Sequence, residues 1–430
     1  MTPGDRVLVA AEKSPDAVAL YLACLHAGAV HAPLNPVFTA DEQAYFVDDA
    51  SPALTVGPNA IPIETLVDDA RRAAPARVVP RSDDDLAALL YTSGTTGRPK
   101  GAALTHANLR HNARALHEAW RFDPADHLIH SLPLFHVHGL FVALHCSMLS
   151  AIPMTFLRRF EVDAVIDALA DATVLMGVPT HYHRLLGDDR FDRARTSGMR
   201  LFTCGSAPLP AVQFDLFTER TGHRLCERYG MSEAGIMTSN PYAGERIAGT
   251  VGFALRDVEI RVRNGDGVTV PPGETGVLEV RGPHLFREYW GKPESTAAAH
   301  TEDGWFVTGD VGSVDADGRI TLQGRAGDMI ISGGENIYPK EIELVLDEQP
   351  GIVESAVVGV PHPDFGEAVL AVLVTDADHD PAIVDAALTT RLARFKHPKT
   401  TVIVDALPRN AMGKVQKSIL RRDYAELFTG

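Results

Sequence analysis

Short apolar runs closed off by turn residues recur through the first 250 positions, and amphipathic stretches fill the gaps between them. Arg6-Val7-Leu8-Val9-Ala10, Leu128-Ile129-His130-Ser131-Leu132 and Thr173-Val174-Leu175-Met176-Gly177-Val178 are runs of this kind. They are too short for typical helices, so they read as strands buried on both faces. Residues 16–27 carry a helical pattern, and alternation of strand with helix predicts α/β architecture with largely parallel sheets. From about 250 to 323 the period shortens to two. Val258-Glu259-Ile260-Arg261-Val262-Arg263 alternates, Asn264-Gly265-Asp266-Gly267 turns the chain, and Gly276-Val277-Leu278-Glu279-Val280-Arg281 follows. A second turn, Asp315-Ala316-Asp317-Gly318, precedes Arg319-Ile320-Thr321-Leu322-Gln323. These are the marks of antiparallel hairpins. Gly324-Arg325-Ala326-Gly327-Asp328 offers a joint, and beyond it strands at 355–360 and 368–374 alternate with helices at 339–348 and 381–393. The expected domains are therefore 1–324 and a small α+β lobe, 325–430.

With 430 residues, 45% of them hydrophobic and 22% charged, the chain is long enough for more than one core. Its formal net charge of −16 argues against general attraction to nucleic acid or an anionic membrane. Residues 391 to 422 depart from that balance, with nine Lys or Arg against one acid, Asp405. The bland reading of that stretch is a solvated basic helix. Cys24, Cys146, Cys204 and Cys226 are widely spaced and form no CxxC pair, so buried thiols in a reducing, cytoplasmic setting are expected. No signal peptide is evident at Met1-Thr2-Pro3-Gly4-Asp5. Residues 139–157 are apolar, but His145, Ser147, Ser150 and Pro153 interrupt them, which predicts a buried helix and strand in place of a membrane span.

Candidate chemistry begins where an apolar run stops at Thr92-Ser93-Gly94-Thr95-Thr96-Gly97-Arg98-Pro99-Lys100. Glycines let backbone N–H groups approach an anion, hydroxyls add donors, and Lys100 adds a point charge, so the loop suits a polyphosphate. It is not a Walker A loop, because Lys100 precedes Gly101 and no Ser or Thr follows it. In Cys226-Glu227-Arg228-Tyr229-Gly230-Met231-Ser232-Glu233 an aromatic ring, a tight turn, a hydroxyl and a carboxylate share one segment. Tyr229 offers a face to a purine, and Glu233 suits a magnesium ion shared with phosphates. Asp310 follows a Trp305-Phe306-Val307 strand, where a carboxylate at a strand end can accept two ribose hydroxyls. An ordinary turn cap is the alternative.

Together these segments, with Gly324-Arg325-Ala326-Gly327-Asp328 and the Gly413-Lys414 pair of the basic stretch, resemble the adenylate-forming superfamily, which includes acyl-CoA synthetases. The resemblance covers nearly the whole chain and implies a large N-terminal domain of α/β sheets plus a small β-barrel-like subdomain, followed by a mobile small α+β C-terminal domain. It implies ATP, Mg2+ and coenzyme A as cofactors, a small carboxylic acid as substrate, and a monomer or homodimer. Catalytic roles fall to Lys414, Glu233 and His136, with Lys414 neutralising charge between carboxylate and α-phosphate. The nucleotide and CoA set adds Gly205, Ser206, Ala207, Glu227, Gly230, Ser232, Arg325 and Lys340 to the residues above. The Ser332-Gly333-Gly334-Glu335 loop corresponds to the part that meets the pantetheine arm. Thr95 and Glu233 would hold the metal. The two half-reactions require the small lobe to turn about a hinge at Gly327, where the family usually has Asp or Lys. Met1 to Val7 corresponds to an internal strand of the family, so the expectation is either a misplaced start codon or a sheet closed with fewer elements, which leaves an exposed edge.

Within the superfamily the chain is most similar to malonyl-CoA synthetases, on Leu132-Pro133-Leu134-Phe135-His136-Val137-His138-Gly139-Leu140, the 226–233 segment and Met237-Thr238-Ser239-Asn240-Pro241-Tyr242. A dicarboxylate brings a second anion, and a buried carboxylate without a partner is costly, so a cation must enter the pocket. Arg246 and Arg261 are the candidates, with His136 and Ser239 as hydrogen-bond donors. A ligase for a fatty or aryl acid, or a non-catalytic nucleotide-binding relative, are the alternatives.

Overall fold

The computed structural model describes residues 1–92, 99–332, 335–377, 379–410 and 414–428, leaving aside the side chains of 335 and 336. Its first sheet runs in the spatial order Glu288–Tyr289, Lys100–Thr105, Leu86–Thr92, Val30–Pro33, Arg6–Val9, Leu54–Val56. Arg6–Val9 pairs in parallel with a strand on each side. The sheet ends on that side with the three-residue Leu54–Val56. The helix Pro15–Ala27 joins Arg6–Val9 to Val30–Pro33. Ser14 accepts from the Ala17 N–H, Pro15 occupies the first turn, and Gly28 closes the helix at φ 70°. Cap, proline and left-handed glycine stand where orphan backbone groups need them.

The second sheet has two characters. Met154–Phe156, Leu128–His130, Val174–Gly177 and Leu201–Cys204 are parallel, and Cys226–Met231 adds to them in parallel. On its other side Cys226–Met231 pairs antiparallel with Gly235–Ser239. Thr250–Ala254, Ile320–Arg325, Phe306–Val314, Gly276–Arg281 and Glu259–Arg263 extend the antiparallel part. The expected barrel-like subdomain takes the form of these strands, which share one core with the parallel half through Leu128, Val174, Leu201, Cys226, Met237, Leu278 and Ile320. Phe306–Val314 is nine residues long, so Asp310 sits in mid-strand and not at a strand end. The apolar 138–156 stretch forms a wholly buried π-helical segment His138–Leu144, the helix His145–Ser150 and the strand Met154–Phe156. Among the described residues no helix is long and apolar enough to cross a membrane.

After Arg325 a short turn, Ala326–Asp328, leads into the third sheet. There Ile352–His362 and Gly366–Thr375 form a long hairpin whose alternate residues face opposite cores. Val357, Val369, Ala371 and Leu373 meet Ile342, Val345 and Leu346 of the helix Pro339–Asp347. Ala356, Val358, Val360, Leu370 and Val372 meet Leu407 and Leu420. The period of two explains both layers.

Candidate active site

Cys226–Met231 lies where parallel pairing gives way to antiparallel, a place at which α/β sheets open a crevice for ligands. A register shift between Tyr229 and Gly230 turns the strand there. The Tyr229 hydroxyl donates to Asp310 Oδ2 at 2.5 Å, and Arg325 Nε lies 2.8 Å from Asp310 Oδ1. Asp310 and Arg325 are paired across neighbouring strands, so the backbone ladder itself sets this contact. Burial, with the Asp310 charge beside it, keeps the Tyr229 phenol protonated far above its ordinary range.

Glu233 follows in the turn, with its backbone carbonyl accepting from the Phe286 N–H at 2.7 Å. Its Oε1 accepts from the Tyr289 hydroxyl at 2.9 Å, and Lys100 Nζ stands 5.0 Å from the centre of the Tyr289 ring. Burial raises the Glu233 carboxyl despite that bond. Thr92 and Lys100 oppose each other across the hairpin and bracket the loop between them. From the small lobe, the Lys414 side chain opens to solvent yet is ringed by protein. Burial, then the Arg325 charge, lowers its ammonium, while Asp310 and Glu233 oppose the shift.

On the far side of the strand the chemistry changes. Arg228 is 3% exposed; its Nη2 donates to Ser206 Oγ at 3.3 Å, and its buried Nε has no partner among the described residues. Burial lowers this guanidinium to about 10. Gly205 has to be glycine, because a Cβ there would stand 2.7 Å from the backbone oxygen of Arg228. Ser206 adopts φ 71°, a conformation that non-glycine residues rarely hold without a reason, and its Oγ is 3.3 Å from His138 Nδ1. The His138 N–H approaches His136 Nδ1 at 3.4 Å, leaving Nε2 of His136 as its proton carrier. Burial, followed by the Lys414 and Arg228 charges, holds His136 neutral at about 3.

A family model for AMP-binding enzymes matches residues 1–290, and one for the AMP-binding enzyme C-terminal domain matches 341–414. The chain belongs to the AMP-binding enzyme family. A malonate–CoA ligase from Arabidopsis thaliana is 39% identical over 79% of this chain and 61% of that protein. The chain thus spans about three fifths of the length of the first curated relatives it matches. The ATP-bound crystal structure of MatB from Rhodopseudomonas palustris, 46% identical over 100% of this chain and 90% of that one, superposes with a TM-score of 0.96. The apo crystal of the same protein, at the same identity and coverage, gives 0.83, so the chain superposes better on the ATP-bound crystal than on the apo one. A malonyl-CoA ligase in a product complex with methylmalonyl-CoA and AMP, 38% identical over 94% of this chain and 91% of that one, gives 0.68.

In this AMP-binding enzyme Tyr229, Asp310 and Arg325 are in direct contact, Glu233 and Lys414 lie close enough to feel the Arg325 and Asp310 charges, and His136 feels that of Lys414. Lys100 reaches the ring of Tyr289, the partner of Glu233, while Gly205 and Ser206 adjoin Arg228. Ala207 continues that loop and Ser232 lies in the turn before Glu233. Gly230 could bear no side chain, since a Cβ would meet Gly235 O at 2.1 Å. Glu227 is buried and raised to about 8 by that burial, with the Lys340 charge from the small lobe opposing the shift. Ser332 is buried beside the third sheet. Ser93, Gly94, Thr95, Thr96, Gly97, Gly333, Gly334 and the side chain of Glu335 lie outside the described residues.

Three expected substrate contacts are elsewhere. Arg246 donates to the carbonyls of Pro241, Tyr242 and Arg224 and so braces a loop. Arg261 pairs with Glu279 at 2.6 Å and Asp303 at 2.6 Å. Ser239 Oγ accepts from Trp120 Nε1 at 2.9 Å and donates to Asn240 O. All three are satisfied by protein partners. A buried cation that sequence reasoning passed over is Arg228, between two residues already chosen. Its signal was there: an arginine inside a strand buried on both faces needs an anion to justify it.

Glu233 also fits an oxygen-preferring cation. It is a buried carboxyl with one side-chain hydrogen bond, and the burial that raises it would be offset by a divalent charge. Among the described residues no group of three His, Cys, Asp or Glu gathers.

Proposed function

We propose that the chain is an ATP-dependent acid–CoA ligase whose acid is a short dicarboxylate, malonate or methylmalonate. In the first step a carboxylate oxygen attacks the α-phosphorus and pyrophosphate leaves, giving an acyl-adenylate. Lys414 carries the charge that offsets the negative oxygens between acid and phosphate. Asp310 accepts the ribose hydroxyls while Arg325 and Tyr229 fix its orientation. A magnesium ion at Glu233 would supply charge neutralisation on the phosphates. In the second step the CoA thiol attacks the acyl carbon, its proton is released, and AMP departs. The small lobe turns about 325–328 so that the loop at 332–335 replaces Lys414. Four buried, unpaired cysteines support a reducing compartment for this work.

The observation that carries the dicarboxylate reading is Arg228, a buried guanidinium facing Ser206 and His138 with no carboxylate paired to it among the described residues. A second carboxylate on the acid would complete it with charge-assisted hydrogen bonds, whereas an apolar chain would strand it. Pyrophosphate release with malonate, methylmalonate, acetate, octanoate and benzoate tests the reading. Malonate or methylmalonate should lead in kcat/KM, and a lead for octanoate or benzoate would remove it.

A further inference from the structure

Lys13 follows the first strand, is 8% exposed, and pairs with no carboxylate among the described residues. Its Nζ is 2.8 Å from His130 Nδ1 and 2.7 Å from His130 O, and it stands 4.4 Å from the centre of the Phe156 ring. An ammonium has only donors, so His130 Nδ1 must accept, and the ring proton is left on Nε2. That nitrogen lies 3.0 Å from Gly139 O, at the start of the π-helical segment. Gly139 leaves no slack, since even a Cβ would come within 2.0 Å of Pro133 O. A strut of three residues therefore runs from the first sheet, across the end of the second, to the segment bearing His136 and His138.

We propose that Lys13 is a positioning residue for the acid pocket, fixing through His130 and Gly139 the wall that presents His136 and His138 to the substrate. It rests on the reading of 132–140 as that wall. The strut is charge-dependent. Burial lowers the Lys13 ammonium to about 7. The titratable groups facing it are His130 on the strand Leu128–His130 and His181 on the helix Pro179–Leu186. Burial holds both at about 3, helped by Lys13 in each case and by Arg184 for His181. Phe156 faces it without charge, and the neighbouring Glu12 turns toward Arg158 at 3.7 Å. As pH rises through about 7, Lys13 loses its proton, and both its ring contact and its grip on His130 weaken.

The experiment measures KM for malonate and for ATP by pyrophosphate release between about pH 6 and about pH 8.5 in the native chain, Lys13→Met, Lys13→Arg and His130→Asn. The native KM for malonate should rise several-fold with a midpoint near 7. Lys13→Met should hold it about tenfold high at every pH, with KM for ATP within about twofold. Lys13→Arg should restore a low, flat profile. His130→Asn, which keeps an acceptor for Lys13 but cannot reach Gly139, should match Lys13→Met. An unchanged acid KM and an unchanged pH profile in Lys13→Met, or equal losses for acid and ATP, would overturn the proposal. Should Lys13→Met fail to fold, the native profile and His130→Asn decide. If the native chain does not use malonate, the proposed function has failed on its own, and the same comparison with the acid it does use still judges Lys13.

Discussion

The two sides of the strand Cys226–Met231 handle charge in opposite ways. Toward the nucleotide, every anion has its partner: Asp310 holds Tyr229 and Arg325, and Glu233 holds Tyr289. Toward the proposed acid site the groups are the guanidinium of Arg228 and the imidazoles of His136 and His138, with buried nitrogens of Arg228 and His138 unpaired among the described residues. Paired groups are rigid before the ligand arrives, so the nucleotide side is built to orient. Unpaired buried groups are costly until something completes them, so the acid side is built to select. Such a site rejects a ligand lacking the matching group more strongly than one of the wrong size.

Lys414 stands at the seam, and its removal should have the largest effect. Lys414→Met should slow pyrophosphate release by about a hundredfold to a thousandfold, while thioester formation from supplied acyl-adenylate stays within about tenfold. Equal losses in the two half-reactions would break the assignment of Lys414 to the first. Next comes the acid side alone. Arg228→Met should raise KM for malonate by about a hundredfold and KM for ATP by no more than about threefold, because it leaves the distal carboxylate without a cation. It should also improve octanoate relative to malonate, and if both acids lose equally Arg228 is structural. The nucleotide side gives a smaller effect, since Asp310→Asn keeps one acceptor and can still meet Tyr229. KM for ATP should rise about tenfold, with KM for the acid little changed. A matching rise for the acid would show that the two sides are not separable.

The same contrast governs what could be read in the sequence. The proposed nucleotide side rests on short local signals, an aromatic before a turn and a carboxylate expected at a strand end, and of these Tyr229 and Asp310 meet each other and Arg325 in the structure. Strand runs such as 355–360 and 368–374 reappear, somewhat longer, as Ile352–His362 and Gly366–Thr375, because two-residue alternation survives burial on both faces. The acid side depends on what is left unpaired, which no motif reports. Arg246 and Arg261 looked available, yet carbonyls and carboxylates from distant segments consume them. Lys13 and His130 lie 117 positions apart and meet only because one sheet end abuts the other. Gly327 shows the remaining limit. In this arrangement a Cβ there meets nothing within 4 Å, so no contact among the described residues requires glycine.

Glu227 offers the mildest test, because it lies inside the boundary strand and belongs to neither side. Its Oε1 is buried and without a hydrogen bond among the described residues, and burial raises its carboxyl from 4.5 to about 8, with Lys340 of the small lobe opposing the shift. A carboxyl whose folded value lies above its unfolded one binds more protons in the folded state. Its contribution is fully present below about 4.5, is lost as pH rises, and is gone above about 8. Glu227→Gln keeps the shape of the protonated acid and cannot ionise, so its melting temperature should draw ahead of the native chain's from about pH 4.5 upward and hold a constant lead above about pH 8. Pyrophosphate release near neutrality should change by less than about threefold, since the native side chain is already mostly protonated there. A melting-temperature difference that stays flat across this range would mean that Glu227 is ionised and held by Lys340 in the folded chain, and the strand would then carry an ion pair across the two lobes in place of a neutral acid.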